Sequence, residues 1–395
     1  MLFQKYQLQN GSRVILAPLH ETQAVTVLVL FPVGSRYEKK VVNGVSHFLE
    51  HMMFKGTKKR PDTQTISREL DRVGAEFNAY TSKDHTGYYV KITHDRLEHA
   101  LDITSDMLYN SLFKQEEITR EKNVVIEEIH MYEDNPMMHI DDIFEELLFG
   151  ATPLGWQISG SRETVAGLPR EAIVKHFKTF YRPKDMVLAI GGRFDEVLAR
   201  KLIEKYYVVS GHKFGIPTKA LRVTAGSRGP RVRLQFKETQ QVHLQLGVRA
   251  YPYRDPRLPA LNLLNVILGG NMSSRLFINI RERHGLCYYI RSGVGSFHDT
   301  GVFGVQAGLD KGRIRDAIKL IVAELTRMRE KGVTEKELYD AKQFVHGKMT
   351  LGLEESSEIA EWCGKQEVLT NQIKTPEEKL IEIDKVTQAD VHGIA

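Results

Sequence analysis

"NGVSHFLEHMMFKGT", residues 43–57, carries three polar side chains at a spacing that a helix brings onto one face. A helix turns about 100° per residue, so His47, Glu50 and His51, at i, i+3 and i+4, fall within one arc of roughly 100°. Phe48, Leu49, Met52 and Met53 lie on the other side, where they can pack against the protein and hold the polar trio towards a cavity. Such a face suits either histidines satisfied in a core or ligands for a metal. The sequence around it weighs between the two.

Ahead of this helix, "AVTVLVLFPVGSR" (24–36) reads as a buried strand; behind it come a second helix near 65–73 and the strand pair "AEFNAYTS" (75–82) and "HTGYYVKI" (85–92). A long helical region follows at 95–131. "GHKFGIPTKALRVTAGSRGP" (211–230) is dense in Gly and Pro without a sustained apolar period, as expected of a connector. Beyond it the order recurs: strand-like "VHLQLGVRAY" (242–251), helical "PALNLLNVIL" (259–268), paired strands "CYYIRSGVGSF" (287–297) and "GVFGVQAGL" (301–309), then a helix at 313–332. The chain therefore reads as a duplicated α+β unit, each copy a mixed, mostly antiparallel sheet packed with helices: 1–210, a connector at 211–230, and 231–395.

Val27 and Leu101 correspond to Leu244 and Ile318, an offset of 217 in both cases. At that offset His47, Glu50 and His51 fall on Leu264, Ile267 and Leu268. One copy keeps the helix as core while the other carries the polar trio, so the fold itself does not need the trio. That favours the metal.

A catalytic zinc usually takes three protein ligands and leaves a position for water, whose pKa falls to about 7. H-x-x-E-H can supply two histidines and a general base, and a carboxylate from a facing element would complete the set. "TREKNVVIEEIHMYE" (119–133) places Glu121 and Glu128 two helical turns apart on one face, with Val124, Val125 and Ile129 directed elsewhere. Glu127 competes as ligand but lies about 100° around the helix from Glu128.

"SHFLEHMMFKGT", then "GAEFNAYTSKDHTGYY" (74–89), then Glu121 and Glu128, together resemble the pitrilysin or insulinase family of zinc metallopeptidases, in particular the short two-domain branch similar to mitochondrial processing peptidase. The resemblance runs over nearly the whole chain. The family's inverted motif is H-x-x-E-H followed by about 76 residues and a glutamate, the interval between His51 and Glu128 here. It implies one Zn2+ per chain held by His47, His51 and Glu128, with Glu50 as the base that activates water and Glu121 orienting a ligand from behind. "FNAYTS" resembles the family's strand edge beside the zinc, implying that Asn78 and Ala79 bind a peptide added as a strand. "SSRLFINIRERHGLCYYI" (273–290) resembles its Arg and Tyr pair, so Arg281 would anchor substrate carbonyls and Tyr288 donate to the developing oxyanion. "LGGNMSSRLF" (268–277) resembles a short version of the Gly-rich substrate loop of the processing-peptidase group. His85, His94, His99 and His130 have no ligand spacing and are read as structural or solvated.

The expected activity is a zinc endopeptidase acting on unfolded peptides or extended precursor segments inside a chamber enclosed by two chains, hence a homodimer. A non-catalytic scaffold subunit of the same fold is the alternative. Composition agrees with a folded, water-soluble chain: 42% hydrophobic and 27% charged residues among 395. A net charge of +5 with no Lys/Arg run interleaved with aromatics argues against a nucleic-acid partner. No run of 18 apolar residues and no amino-terminal apolar core are present, so no membrane is expected. Two cysteines, Cys287 and Cys363, are too few for a disulfide framework and suit the cytoplasm. The first half closes with a helix and the apolar strand "MVLAIGG" (186–192), whereas the second stops at the matching helix "TQADVHGIA" (387–395). The expectation is a truncated end or a second sheet short by one strand.

Overall fold

The apolar run at 24–31 is the central strand of the first of two units, and its alternation shows why every position is apolar or small. Val25, Val27, Val29 and Phe31 join a buried cluster with Val45, Phe48, Leu49, Leu97 and Leu101. On the opposite face, Leu28 and Leu30 meet helix Ser356–Thr370, where Gly364 passes so close that a Cβ would lie 2.7 Å from Leu30. A strand covered on both faces has no polar side to show. These details come from a computed structural model, which describes residues 3–208 and 232–395.

The first unit is built on strands β1 (Gln4–Gln7), β2 (Arg13–Pro18), β3 (Ala24–Phe31), β4 (Glu76–Thr81), β5 (Thr86–Thr93) and β6 (Val187–Gly192), in the order β1-β2-β6-β3-β5-β4. Only β2 and β6 run parallel. The mixed, mostly antiparallel sheet is thus as expected, and β4 forms one edge of it. The region 95–131 resolves into two helices, Leu97–Asn110 and Gln115–Asp134, separated by a break at which Phe113 has φ +48°.

The second unit holds β7 (Gln241–Ala250), β8 (Cys287–Ser296) and β9 (Gly301–Asp310), antiparallel in the order β7-β9-β8. The duplication extends to strand register. Val27 pairs with Val90, and Leu244 with Ala307, the same pairing moved by 217 positions on both strands. Leu264, Ile267 and Leu268, the counterparts of the polar trio, are buried in helix Leu258–Gly269.

The units are not the contiguous halves 1–210 and 231–395. The first comprises 3–131, 156–208 and 351–375, the second 132–155, 232–350 and 376–395; the connector 211–230 lies outside the described residues. Each half of the sequence gives one helix to the other unit: Pro136–Phe149 packs on β7, and Ser356–Thr370 packs on β3 and β6. In the first unit Thr26 Oγ1 meets Ser356 Oγ at 2.9 Å, and Glu367 is fully buried between Lys5 and Arg13, each at 2.7 Å. A sheet face must be covered, and an amphipathic helix from either half can cover it. Periodicity identifies such a helix without naming its sheet.

Candidate metal centre

Helix Val45–Met52 starts at Gly44, whose φ of +97° and whose approach to Ser159, 2.5 Å from a would-be Cβ to the carbonyl oxygen, both require glycine. The first turn is satisfied by a buried carboxylate. Glu38 accepts the N–H groups of Gly44 and Ser46 at 2.7 Å each and Asn43 Nδ2 at 2.9 Å. Val45, Phe48, Leu49 and Met52 are buried, which turns His47, Glu50 and His51 to the other side.

There they meet helix Gln115–Asp134. His51 Nε2 lies 3.3 Å from His47 Nε2 and 3.4 Å from Glu128 Oε2, and His47 Nε2 lies 3.6 Å from that same oxygen. Zinc bonds of roughly 2.0–2.1 Å at tetrahedral angles require ligand atoms about 3.3–3.4 Å apart. The triangle therefore has the dimensions and the donor set of a three-ligand zinc site, and it is the one group of potential metal ligands found among the described residues. Glu127 points away, its side chain 77% exposed and 3.4 Å from His130.

Behind the triangle, Glu121 Oε1 accepts from His51 Nδ1 at 2.8 Å and Glu121 Oε2 takes Lys55 Nζ at 2.6 Å. In the neutral imidazole that a metal ligand must be, this contact puts the one proton on Nδ1 and turns the Nε2 lone pair towards His47 and Glu128; without a metal the same carboxylates favour a second proton there. Burial raises the Glu121 pKa, but His51 and Lys55 outweigh it and hold the group below the usual carboxylate range. Glu128 sits well below that range for the same reason, burial being overcome by His47 and His51. Burial opposes charge on His51 too, yet Glu121 and Glu128 push its pKa up to about 9. Two carboxylates here thus hold a cation in place, as they would hold a metal.

Glu50 differs from both. Burial raises its pKa against the pull of His47 and of Thr81, whose hydroxyl donates to Glu50 Oε2 at 2.6 Å. A carboxylate kept closer to neutrality beside the ligands is suited to moving protons. Thr81 ends β4, and Asn78 and Ala79 lie on the same edge strand. Ala79 N–H donates to Asn78 Oδ1 at 2.9 Å, so it is directed off the ladder towards the open side of the sheet.

Arg281 and Tyr288 belong to the second unit. Arg281 lies in a π-helical turn, Phe277–Arg283, with its guanidinium 4.7 Å from the Phe277 ring and 5.7 Å from the Tyr288 ring. The ladder between β8 and β9 skips Tyr288: Cys287 pairs with Leu309 and Tyr289 with Gly308. That bulge turns Tyr288 outwards, 74% exposed, while Tyr289 OH bonds His243 Nδ1 at 2.9 Å. Among the other histidines, His85 Nδ1 bonds Ser82 Oγ and His99 Nε2 the Glu69 carbonyl.

Thr81, Lys55 and Glu38 were not singled out by sequence reasoning. Thr81 carried a signal, since alternation from Ala79 puts it on the same face of β4; Lys55 lies one turn beyond His51.

A duplicated α+β fold with two histidines and a glutamate at zinc-ligand spacing, and a further glutamate beside them, defines a metallopeptidase-type centre. The profile of "Insulinase (Peptidase family M16)" matches residues 13–162, and that of "Peptidase M16 inactive domain" matches 167–345. An uncharacterized zinc protease of Bacillus subtilis, YmxG, is 34% identical over 397 residues, spanning 100% of this chain and 95% of the relative. An uncharacterized zinc protease of Streptomyces coelicolor is also 34% identical, over 98% and 85%. The chain belongs to the insulinase family, peptidase family M16. Its fold is shared with a protease from Helicobacter pylori (TM-score 0.91, 23% identity, 100% of this chain and 95% of that one) and a putative M16-like peptidase from Alicyclobacillus acidocaldarius (TM-score 0.85, 20% identity, 99% and 94%).

Proposed function

We propose that the protein is a zinc-dependent endopeptidase that hydrolyses peptide bonds of unfolded peptides or extended precursor segments. One observation carries this reading: the His47–His51–Glu128 triangle has zinc dimensions, and Glu50 stands beside it held by a hydrogen bond from the edge strand. His47, His51 and Glu128 would hold one zinc ion, which when bound supplies Lewis acidity and lowers the pKa of water to about 7. Glu50 takes a proton from the attacking water and returns it to the amine of the leaving half. Asn78, Ala79 and the open side of β4 bind the peptide backbone as an added strand, a mode largely independent of side-chain sequence. Arg281 holds a substrate carbonyl, and Tyr288 donates to the oxyanion as it forms.

The reading includes a homodimer that encloses the substrate in a chamber, each zinc being served by Arg281 and Tyr288 of the partner chain. It also places the protein in the cytoplasm, supported by two free cysteines; no helix among the described residues is long and apolar enough to cross a membrane. A scaffold subunit of the same fold is the competing function, but it has no use for Glu50 beside an intact ligand triangle. Metal analysis combined with cleavage of a quenched peptide tests the proposal. Stoichiometric zinc with chelator-sensitive cleavage is expected, and zinc-replete protein that cleaves no unfolded peptide overturns it.

A further inference from the structure

The contact between Thr81 and Glu50 joins the strand that would bind a peptide to the carboxylate that would move its protons. Thr81 Oγ1 donates to Glu50 Oε2 at 2.6 Å, which leaves Oε1 of the same carboxylate for another proton. The donor itself is held from several directions. Immediately after Thr81, Ser82 N–H donates to the His85 carbonyl at 2.9 Å, closing the turn between β4 and β5. Ser35 N–H and Arg36 N–H then donate to the Ser82 and Lys83 carbonyls, both at 3.1 Å. Arg36 and Asp84 form a buried ion pair at 2.9 Å, and Thr86 Oγ1 donates to the Val33 carbonyl at 2.8 Å. Gly34 lies so near this turn that a Cβ would come within 2.0 Å of the Ser82 carbonyl oxygen. A hydroxyl set on so constrained a turn can fix the orientation of the carboxylate it bonds.

We infer that Thr81 is a positioning residue for Glu50: through this one hydrogen bond the edge strand that registers the peptide also fixes the carboxylate's orientation. This rests on the endopeptidase reading above. Its substrate consequence is that a peptide paired along β4 meets Glu50 at a set position, because peptide and carboxylate take their places from the same strand. Loss of the hydroxyl frees the carboxylate without removing a metal ligand or a backbone group of the edge.

Thr81→Val tests the inference, since valine keeps the shape and strand preference of threonine while deleting the donor. The zinc-loaded variant is expected to keep its zinc and its KM and to lose turnover by about 10- to 100-fold, the scale of a misplaced reacting group. Thr81→Ser, which restores a donor, is expected to recover most of the loss. In a Glu50→Gln background Thr81→Val should change turnover no further. Unchanged kcat in Thr81→Val, or Thr81→Ser no better than valine, overturns the inference. Crystal structures of the zinc-loaded wild type and Thr81→Val give a readout independent of turnover: one Glu50 conformer in the first and several in the second are expected, and the same single conformer in both overturns it. Absence of cleavage by the wild type would defeat the endopeptidase reading alone, because the conformers of Glu50 still decide the role of Thr81.

Discussion

His51 Nδ1 lies 2.8 Å from Glu121 Oε1, and the other oxygen of that carboxylate lies 2.6 Å from Lys55 Nζ. The orientation of the His51 ring therefore depends on a chain of three residues. Glu121→Gln is expected to weaken zinc binding or activity roughly 10- to 100-fold. Lys55→Met should act in the same direction by leaving Glu121 buried without its cation, and Lys55→Arg should restore most of the affinity. Competition with a chelating dye measures each step; a Lys55→Met chain with wild-type affinity would remove Lys55 from the account.

Base and ligand roles separate by metal content. Glu50→Gln should retain near-stoichiometric zinc and lose most turnover, whereas His51→Ala should lose both. Metal-poor Glu50→Gln would mean that Glu50 is a ligand.

On the glutamate helix, Glu128→Gln should reduce zinc retention more than Glu121→Gln, and the exposed Glu127→Gln should be nearly silent. Metal analysis after dialysis ranks the three, and zinc loss confined to Glu127→Gln would move the ligand by one residue.

If the active site is shared between two chains, complementation should reveal it. One chain carries Glu50→Gln and the other Arg281→Ala with Tyr288→Phe, each nearly inactive alone. Mixed under conditions of chain exchange, the second chain's intact zinc centre meets the first chain's intact Arg281 and Tyr288, and cleavage returns. Exchanged mixtures as inactive as their parents would place both residues with the zinc of their own chain.

His176 is buried with Nε2 3.1 Å from Ser46 Oγ, and burial pushes its pKa from 6.5 down to about 3. The folded chain keeps it neutral while the unfolded chain takes up a proton. Its contribution is thus complete above about pH 6.5 and declines as pH falls towards 3, by about 1.4 kcal/mol per pH unit. Urea unfolding of the metal-free chain between pH 6 and 4 should show a shallower acid loss in His176→Phe, and identical slopes would contradict it.

Much of the centre was legible because its pattern is local. Three and four residues make one helical turn and seven make two, so His47, Glu50 and His51 share a face, and Glu121 shares one with Glu128, wherever those helices lie. The repeat was legible for a related reason: the offset of 217 recurs in residues whose burial the pleat and the helix period impose, down to the cross-strand pairs Val27–Val90 and Leu244–Ala307. Helix Ser356–Thr370 escaped that reading, as did the unit to which it belongs.

By itself, then, the sequence determined the polar trio, the spacing of the glutamates, the duplicated α+β order and the apolar central strand, all consequences of backbone periods acting over a few residues. Only the tertiary structure decided which helix covers which sheet, that Lys55 stands behind Glu121, that Thr81 holds Glu50, and that a bulge turns Tyr288 outwards. Those depend on contacts between segments far apart in the chain or on strand register, and the pattern of apolar residues says that a face must be covered without saying what covers it.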